Sequence, residues 1–172
     1  MISLRLRLLL GAIVGVLLAL TVAAFILVSA FEMHVRKRYV EELDEHVHQL
    51  AALVQVDTGG AITLRHELYN EIFQKPLSGL YWQINANDRA VLRSKSLWDD
   101  ALAVAPIGPG PGMRQVSDIS GPRKHPLIAV ERLVLLEGLT DRPLRLIVAG
   151  ETRVVEESRA DFTTTAAYLL AT

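Results

Sequence analysis

The chain has 172 residues, no cysteine, a formal net charge of −1 and 51% hydrophobic residues. The missing cysteines exclude disulfides, thiolate chemistry and cysteine-based zinc sites, and the near-neutral charge argues against a general nucleic-acid surface, whose footprint is a basic patch or a high domain pI. The length suits one membrane segment and about one ordinary domain.

Residues 8–31 form a single uncharged apolar run. A bilayer crossing needs roughly 20 such residues at the helical rise, so the run predicts a transmembrane anchor. A secretory signal peptide is the rival reading: Arg5 and Arg7 give a basic start, and Val28, Ser29 and Ala30 resemble a small-residue cleavage site. Its core would then be about twice the usual length of roughly 7–15 residues. Charge does not orient the span, because Arg5, Arg7 and the amino terminus stand against Arg36, Lys37 and Arg38, and the acids Glu41, Glu42, Asp44 and Glu45 contribute little to the positive-inside rule.

Residues 32–56 hold no Pro or Gly and continue the helix outward. Met33, Val40, Leu43, Val47, Leu50 and Val54 recur at heptad spacing, with Arg36 at one polar seam position. Such a seam buries either against an identical helix in a homodimer or against the chain's own domain; both uses are open. Gly59-Gly60 then breaks the helix, Ile62 to Leu64 is a short strand candidate, and residues 67–74 have room for one or two helical turns before Pro76.

Residues 80–85 alternate Leu80, Trp82 and Ile84 against Tyr81, Gln83 and Asn85, as a half-buried strand does. The turn-prone Asn87-Asp88 leads into a second predicted strand over 91–98. Six Pro and Gly residues between Pro106 and Gly112 make a surface loop; a phosphate loop would need a G-x-x-x-x-G-K-[ST] pattern, which is missing. Three further strands are predicted over 114–119, 127–136 and 144–149. Residues 152–172 read as a closing helix that turns apolar from Ala166, as a truncated second span would. The fold class is α+β, a long helix followed by an antiparallel sheet of about five strands.

Candidate sites are few. On a strand, Arg93 and Lys95 share one face, where a guanidinium suits a carboxylate or phosphate; Tyr81 and Gln83 are neighbours if the hairpin register brings them across. The alternative is an exposed charged sheet face. Trp82 and Trp98 are read as core before ligand-stacking residues. His46 and His48, two apart, do not share a helix face, and Glu42 with His46 reads as a solvated contact, so no metal site is assigned. No G-x-S-x-G or H-E-x-x-H is present, and no catalytic residue is assigned.

The string Ser78-Gly79-Leu80-Tyr81-Trp82-Gln83-Ile84, followed by Leu92-Arg93-Ser94-Lys95-Ser96-Leu97-Trp98-Asp99, resembles the periplasmic sensor region of proteobacterial two-component sensor histidine kinases of the PhoQ-like type. Gly121-Pro122, Ala129-Val130-Glu131-Arg132 and Val148-Ala149-Gly150-Glu151 extend the likeness over essentially the whole chain. The resemblance implies a cytoplasmic terminus over 1–7, a membrane helix over 8–31, a periplasmic helix over 32–56 and a PAS-like sensor domain of the PDC type over 57–151. It also implies a second span leading to a cytoplasmic autokinase that uses ATP and Mg, works as a homodimer in the inner membrane and phosphorylates a response regulator. None of that kinase machinery lies in this sequence, so this chain carries no cofactor of its own. A cation-sensing acidic surface, as in that type, would fall on Glu151, Glu156, Glu157 and Asp161, where Arg153 and Arg159 are interspersed. The alternative function is a membrane-anchored binding or assembly module of the envelope without kinase output.

Overall fold

The computed structural model describes residues 4–57, 59–105, 112–136 and 143–152. Two compact units divide the chain, with residues 4–37 in the first and 38–152 in the second. The predicted closing helix, apart from Thr152, lies outside the described residues, as do Glu156, Glu157 and Asp161.

Helix α1 (Leu4–Leu53) carries the apolar run. It is long and apolar enough to cross a membrane, a description that a signal sequence also meets. Leu8, Leu18 and Phe25 are exposed along it. Its two polar side chains within that run are satisfied internally: the Thr21 hydroxyl donates to the Leu17 carbonyl and the Ser29 hydroxyl to the Phe25 carbonyl, both at 2.8 Å. Internal partners of this kind are what a hydrocarbon environment demands.

The helix stops at Leu53, three residues short of the end expected from sequence. Val54–Val56 forms strand β1 instead and pairs antiparallel with β2 (Ile62–Leu64). The β-branched Val54 and Val56 favour this conformation. The turn is held by Asp57, whose carboxylate accepts the N–H groups of Gly59 and Ala61 at 2.8 and 2.9 Å.

A five-stranded antiparallel sheet comes next, built from β3 (Leu80–Ala86), β4 (Arg89–Arg93), β5 (Arg114–Ser120), β6 (Pro126–Val134) and β7 (Leu144–Glu151). Its order is β4-β3-β7-β6-β5, so the last strand inserts beside the first at the centre. Central position explains why β7 is buried from Leu144 to Gly150. Asn87 and Asp88 join β3 to β4 with φ of 50° and 59°, the two positive values of a tight hairpin turn.

The predicted strand over 91–98 ends early, at Arg93. One backbone bond continues the pairing, from the Ser94 N–H to the Trp82 carbonyl at 2.9 Å, and serine side chains take over the rest: Ser94 Oγ accepts the Trp82 N–H at 3.1 Å, and Ser96 Oγ donates to the Leu80 carbonyl at 2.7 Å. With β3 satisfied in this way, Lys95–Leu97 tightens into a 3-10 turn.

Period-2 alternation gives the sheet two faces. The first carries Trp82, Ile84, Leu146, Val148, Val130 and Gly150, matched across the strands by the register. Helix α1 lies on it through Leu43, Val47 and Leu50, which are fully buried, and Val54, which is nearly so. The heptad seam of these residues is therefore occupied within the chain's own domain; Val40 is half-buried. Gly150 makes room for this packing, since a Cβ there would collide with the Tyr39 hydroxyl and crowd Leu43. Burial, with help from the charges of Glu42 and Glu151, pushes the Tyr39 phenol up to about 12, so it stays a neutral hydroxyl at physiological pH. Asp44 sets the register of the helix: Arg132 reaches its two carboxylate oxygens from Nε and Nη2 at 2.8 Å each, and Arg114 adds a contact at 3.3 Å. Phe73, in the 3-10 turn Glu71–Gln74, closes the core with its ring edge-on to His46 at 5.5 Å.

Two measurements check this packing. Gly150→Ala is expected to destabilise the domain by about 1–3 kcal/mol through overpacking, with part recovered in a Tyr39→Phe background that removes the nearest atom. The second concerns acid. Hydrogen bonds from Arg132 hold the Asp44 carboxyl below the ordinary carboxylate range, against the opposing effect of burial. Its stabilisation is complete above the unfolded pKa of about 3.9 and is lost as the pH falls through the lower folded value. Thermal melts of wild type and Asp44→Asn should therefore differ near neutrality and converge in acid.

Candidate functional site

The second face of the sheet is apolar at one end and polar at the other. Tyr81, Leu127, Ala129, Ile147 and Ala149 make the apolar end, under Leu97 and Leu102. Toward the other end lie Gln83, Asn85, Glu131 and Arg145, all buried. Four buried polar side chains on one face need partners, and the structure supplies them in two connected sets.

Gln83 forms the first. Its Oε1 accepts the Leu102 N–H at 2.8 Å, which leaves its amide nitrogen to donate to the Leu102 carbonyl at 3.2 Å and to Asn85 Oδ1 at 2.8 Å. Each bond fixes the next amide: the Leu102 N–H identifies the Gln83 oxygen, and the Gln83 nitrogen identifies the Asn85 oxygen. The Asn85 nitrogen is then the group left over, and it holds no hydrogen bond to another described residue.

Glu131 and Arg145 form the second. Arg145 Nε donates to Glu131 Oε2 at 2.7 Å and Nη2 approaches it at 2.6 Å. Nη2 also donates to the Ala105 carbonyl, and the Ser117 hydroxyl donates to Glu131 Oε1 at 3.1 Å. Nη1 is the unspent edge of the guanidinium. Among the described residues it faces Asp88 Oδ1 at 3.8 Å, beyond hydrogen-bond distance, on a side chain that is 85% exposed.

Asn85 and Arg145 are directly opposed across β3 and β7, so their side chains leave the sheet as near neighbours. Together with Asp88, Leu102, Ala103 and Val104 they line a cavity of about 280 Å³. Among the described residues no group of acids and histidines could hold a metal ion. What the cavity presents is two buried donors, the Asn85 amide nitrogen and Arg145 Nη1, with the exposed Asp88 carboxylate at the side and the small apolar side chains of Ala103 and Val104 nearby.

The sequence-predicted residues fall elsewhere. Arg93 and Lys95 border a second pocket of about 220 Å³, floored by Trp82, Leu64 and Leu92. Lys95 is paired there with Glu67 at 2.8 Å, while the Arg93 guanidinium donates to the Asp100 carbonyl at 3.0 Å. The two cations do not share a strand face, since the strand has ended between them. Tyr81 and Gln83 lie buried on the second face: Tyr81 accepts the Gly79 N–H through its hydroxyl at 3.2 Å, and Gln83 clamps Leu102. Trp82 is buried and Trp98 exposed, the latter at φ 56° where the 3-10 turn ends. His46 serves the Phe73 contact, and His48 bonds the Asp44 carbonyl at 2.9 Å.

Sequence reasoning misses Asn85, Glu131 and Arg145 as site residues. The signal that points to two of them is charge within two apolar strand runs, Glu131 beside Arg132 in Ile128 to Val134 and Arg145 alone in Leu144 to Ala149, because a charge inside a buried strand requires a partner. No protein-family model, curated protein or solved structure matches the chain.

The ion pair predicts its own cost. Glu131→Gln leaves the Arg145 charge uncompensated in the interior and should lower unfolding stability by about 3–5 kcal/mol, whereas replacing both residues by Met should recover most of the loss. Chemical denaturation of the three proteins measures both effects.

Proposed function

We propose that this chain is the sensory and anchoring part of a membrane receptor, of the sensor histidine kinase type that its sequence resembles. In this reading the apolar run is a retained inner-membrane helix, residues 38–152 are a PAS-like extracytoplasmic domain, and the output is a cytoplasmic autokinase encoded beyond this sequence. The kinase part would use ATP and Mg, act as a homodimer and pass phosphate to a response regulator.

One observation supports it above the others: the domain's way in and way out touch. Tyr39, eight residues past the apolar run on α1, packs on Gly150 at the end of β7. Glu151 is anchored there too, with its N–H bonded to the Gly79 carbonyl at 2.9 Å and its carboxylate 3.3 Å from His125 Nδ1. A change in β7 thereby bears on the helix that enters the domain, which is what signal transfer toward a membrane requires. The antiparallel five-stranded sheet behind a long helix agrees with the PAS-like expectation.

Homodimer contacts in this reading fall on residues outside the buried Leu43, Val47 and Leu50 stripe. The second function, an anchored binding module of the envelope, shares every feature up to Thr152 and differs only in lacking an output domain.

A reporter fusion tests the arrangement. Alkaline phosphatase joined after Thr152 in a Gram-negative host should be active, and green fluorescent protein at the same point dark, with the amino-terminal segment still present by mass spectrometry. A fluorescent fusion sinks the extracytoplasmic placement, and a mature protein starting after Ala30 sinks the anchor. The reading frame beyond Thr172 separates the functions: a second span and a kinase core supports the receptor, and an early stop supports the module.

A further inference from the structure

We infer that the cavity between Asn85 and Arg145 is a binding site for the carboxylate of a small organic acid. The inference rests on the sensory reading for its biological meaning and on the cavity alone for its chemistry.

Three features select that ligand. The buried groups left unspent at the cavity are both donors, the Asn85 amide nitrogen and Arg145 Nη1; the Asp88 carboxylate, also in the lining, is exposed to water. Neither is free to turn away, because Asn85 is oriented through Gln83 by the Leu102 backbone, and Arg145 is oriented through Glu131 and Ala105. A preorganised pair of donors, one cationic, favours an oxyanion acceptor over an amine. Asp88 is the second feature. Its carboxylate already stands before Nη1, but at 3.8 Å and on an exposed side chain it marks the position without filling it. A ligand carboxylate at hydrogen-bond distance displaces it outward into water. The third is the wall. Ala103 and Val104 give the ligand an apolar surface, and about 280 Å³ accommodates a ring with its carboxylate, since an apolar cavity of about 150 Å³ holds benzene. Glu131 neutralises Arg145 within the protein, so affinity depends on geometry and on the outward movement of Asp88 more than on net charge.

Benzoate is a suitable probe, with benzamide as its neutral counterpart and benzylamine as its cationic one. Isothermal titration of the full chain in nanodiscs should show saturable benzoate binding, with the other two at least about tenfold weaker. Asp88→Asn removes a like charge that the bound carboxylate must push outward and should tighten benzoate by about twofold to fivefold, the upper figure being that for charges held about 4 Å apart in water. Asn85→Ala removes one donor and should weaken it at least about fivefold. Asp88 is exposed and outside the core, so its variant carries the test even where Asn85→Ala fails to fold in a cooperative melt.

Absence of saturable binding by benzoate and also by isovalerate overturns the inference. So does equal affinity for benzamide, or an Asp88→Asn variant that binds benzoate no better than wild type. These outcomes are separate from the reporter fusions: a domain that binds no acid can still face outward, and one that binds benzoate can still prove cytoplasmic.

Discussion

The carboxylate of Asp44, held at both oxygens by Arg132, decides how the helix lies on the sheet. It is not the main source of stability there. Burying each of Leu43, Val47 and Leu50 contributes about 1.5–3 kcal/mol, while an ion pair near the surface contributes about 0–1 kcal/mol. Apolar contact, however, has no direction: a leucine stripe slides along a greasy sheet at little cost. A planar guanidinium meeting a carboxylate in a two-point bond does not slide. The leucines and valines hold α1 down and Asp44 gives it a register, and from that register comes the seating of Tyr39 on Gly150.

The two faces of the sheet divide the work. One is covered by a helix and a ring, with Phe73 meeting His46, and the Asp44 group with Arg132 and Arg114 lies at its edge. The other is covered by loop, and a loop brings backbone carbonyls and amides that need partners. Gln83 takes both polar groups of Leu102, and Arg145 takes the carbonyl of Ala105. These buried polar residues are thus the means by which the sheet holds an irregular segment over its second face, and the donors left over after that task line the cavity.

Much of this is legible in the amino-acid sequence. The apolar run, the break at Gly59-Gly60, the Asn87-Asp88 hairpin and the order of the later strands come from length, period and turn chemistry, which are local properties. Two boundaries are not legible there. Val54 continues the heptad period, and only pairing with Ile62 to Leu64 makes Val54 to Val56 a strand; the alternation of residues 91–98 is equally persuasive until Ser94 and Ser96 take the hydrogen bonds of β3 with their side chains. The site is hidden for a related reason. Arg93 and Lys95 attract notice as neighbours in sequence, yet Lys95 spends its charge on Glu67, whereas Asn85 and Arg145 are 60 positions apart in the numbering and become neighbours only through the pairing of β3 with β7. The heptad seam has two possible burial partners, and periodicity alone does not distinguish a sister helix from a sheet.

Strand β7 links the two places where the chemistry is concentrated. Arg145 stands near its start and Gly150 near its end, on opposite faces of the sheet, five residues apart and so separated by roughly 17 Å at about 3.3–3.4 Å per residue. Hydrogen bonds to β3 and β6 along both edges keep the strand from bending between them. A disturbance at Arg145 therefore reaches Gly150 as a small displacement of the whole strand or not at all. At Gly150 the Tyr39 hydroxyl leaves no slack, and close-packed contacts of this kind transmit strain because they cannot absorb it. A ligand at the cavity would act on such an arrangement only through a difference in its affinity for distinct positions of the strand, and the close approach of Tyr39 to Gly150 is the contact that any such displacement would disturb.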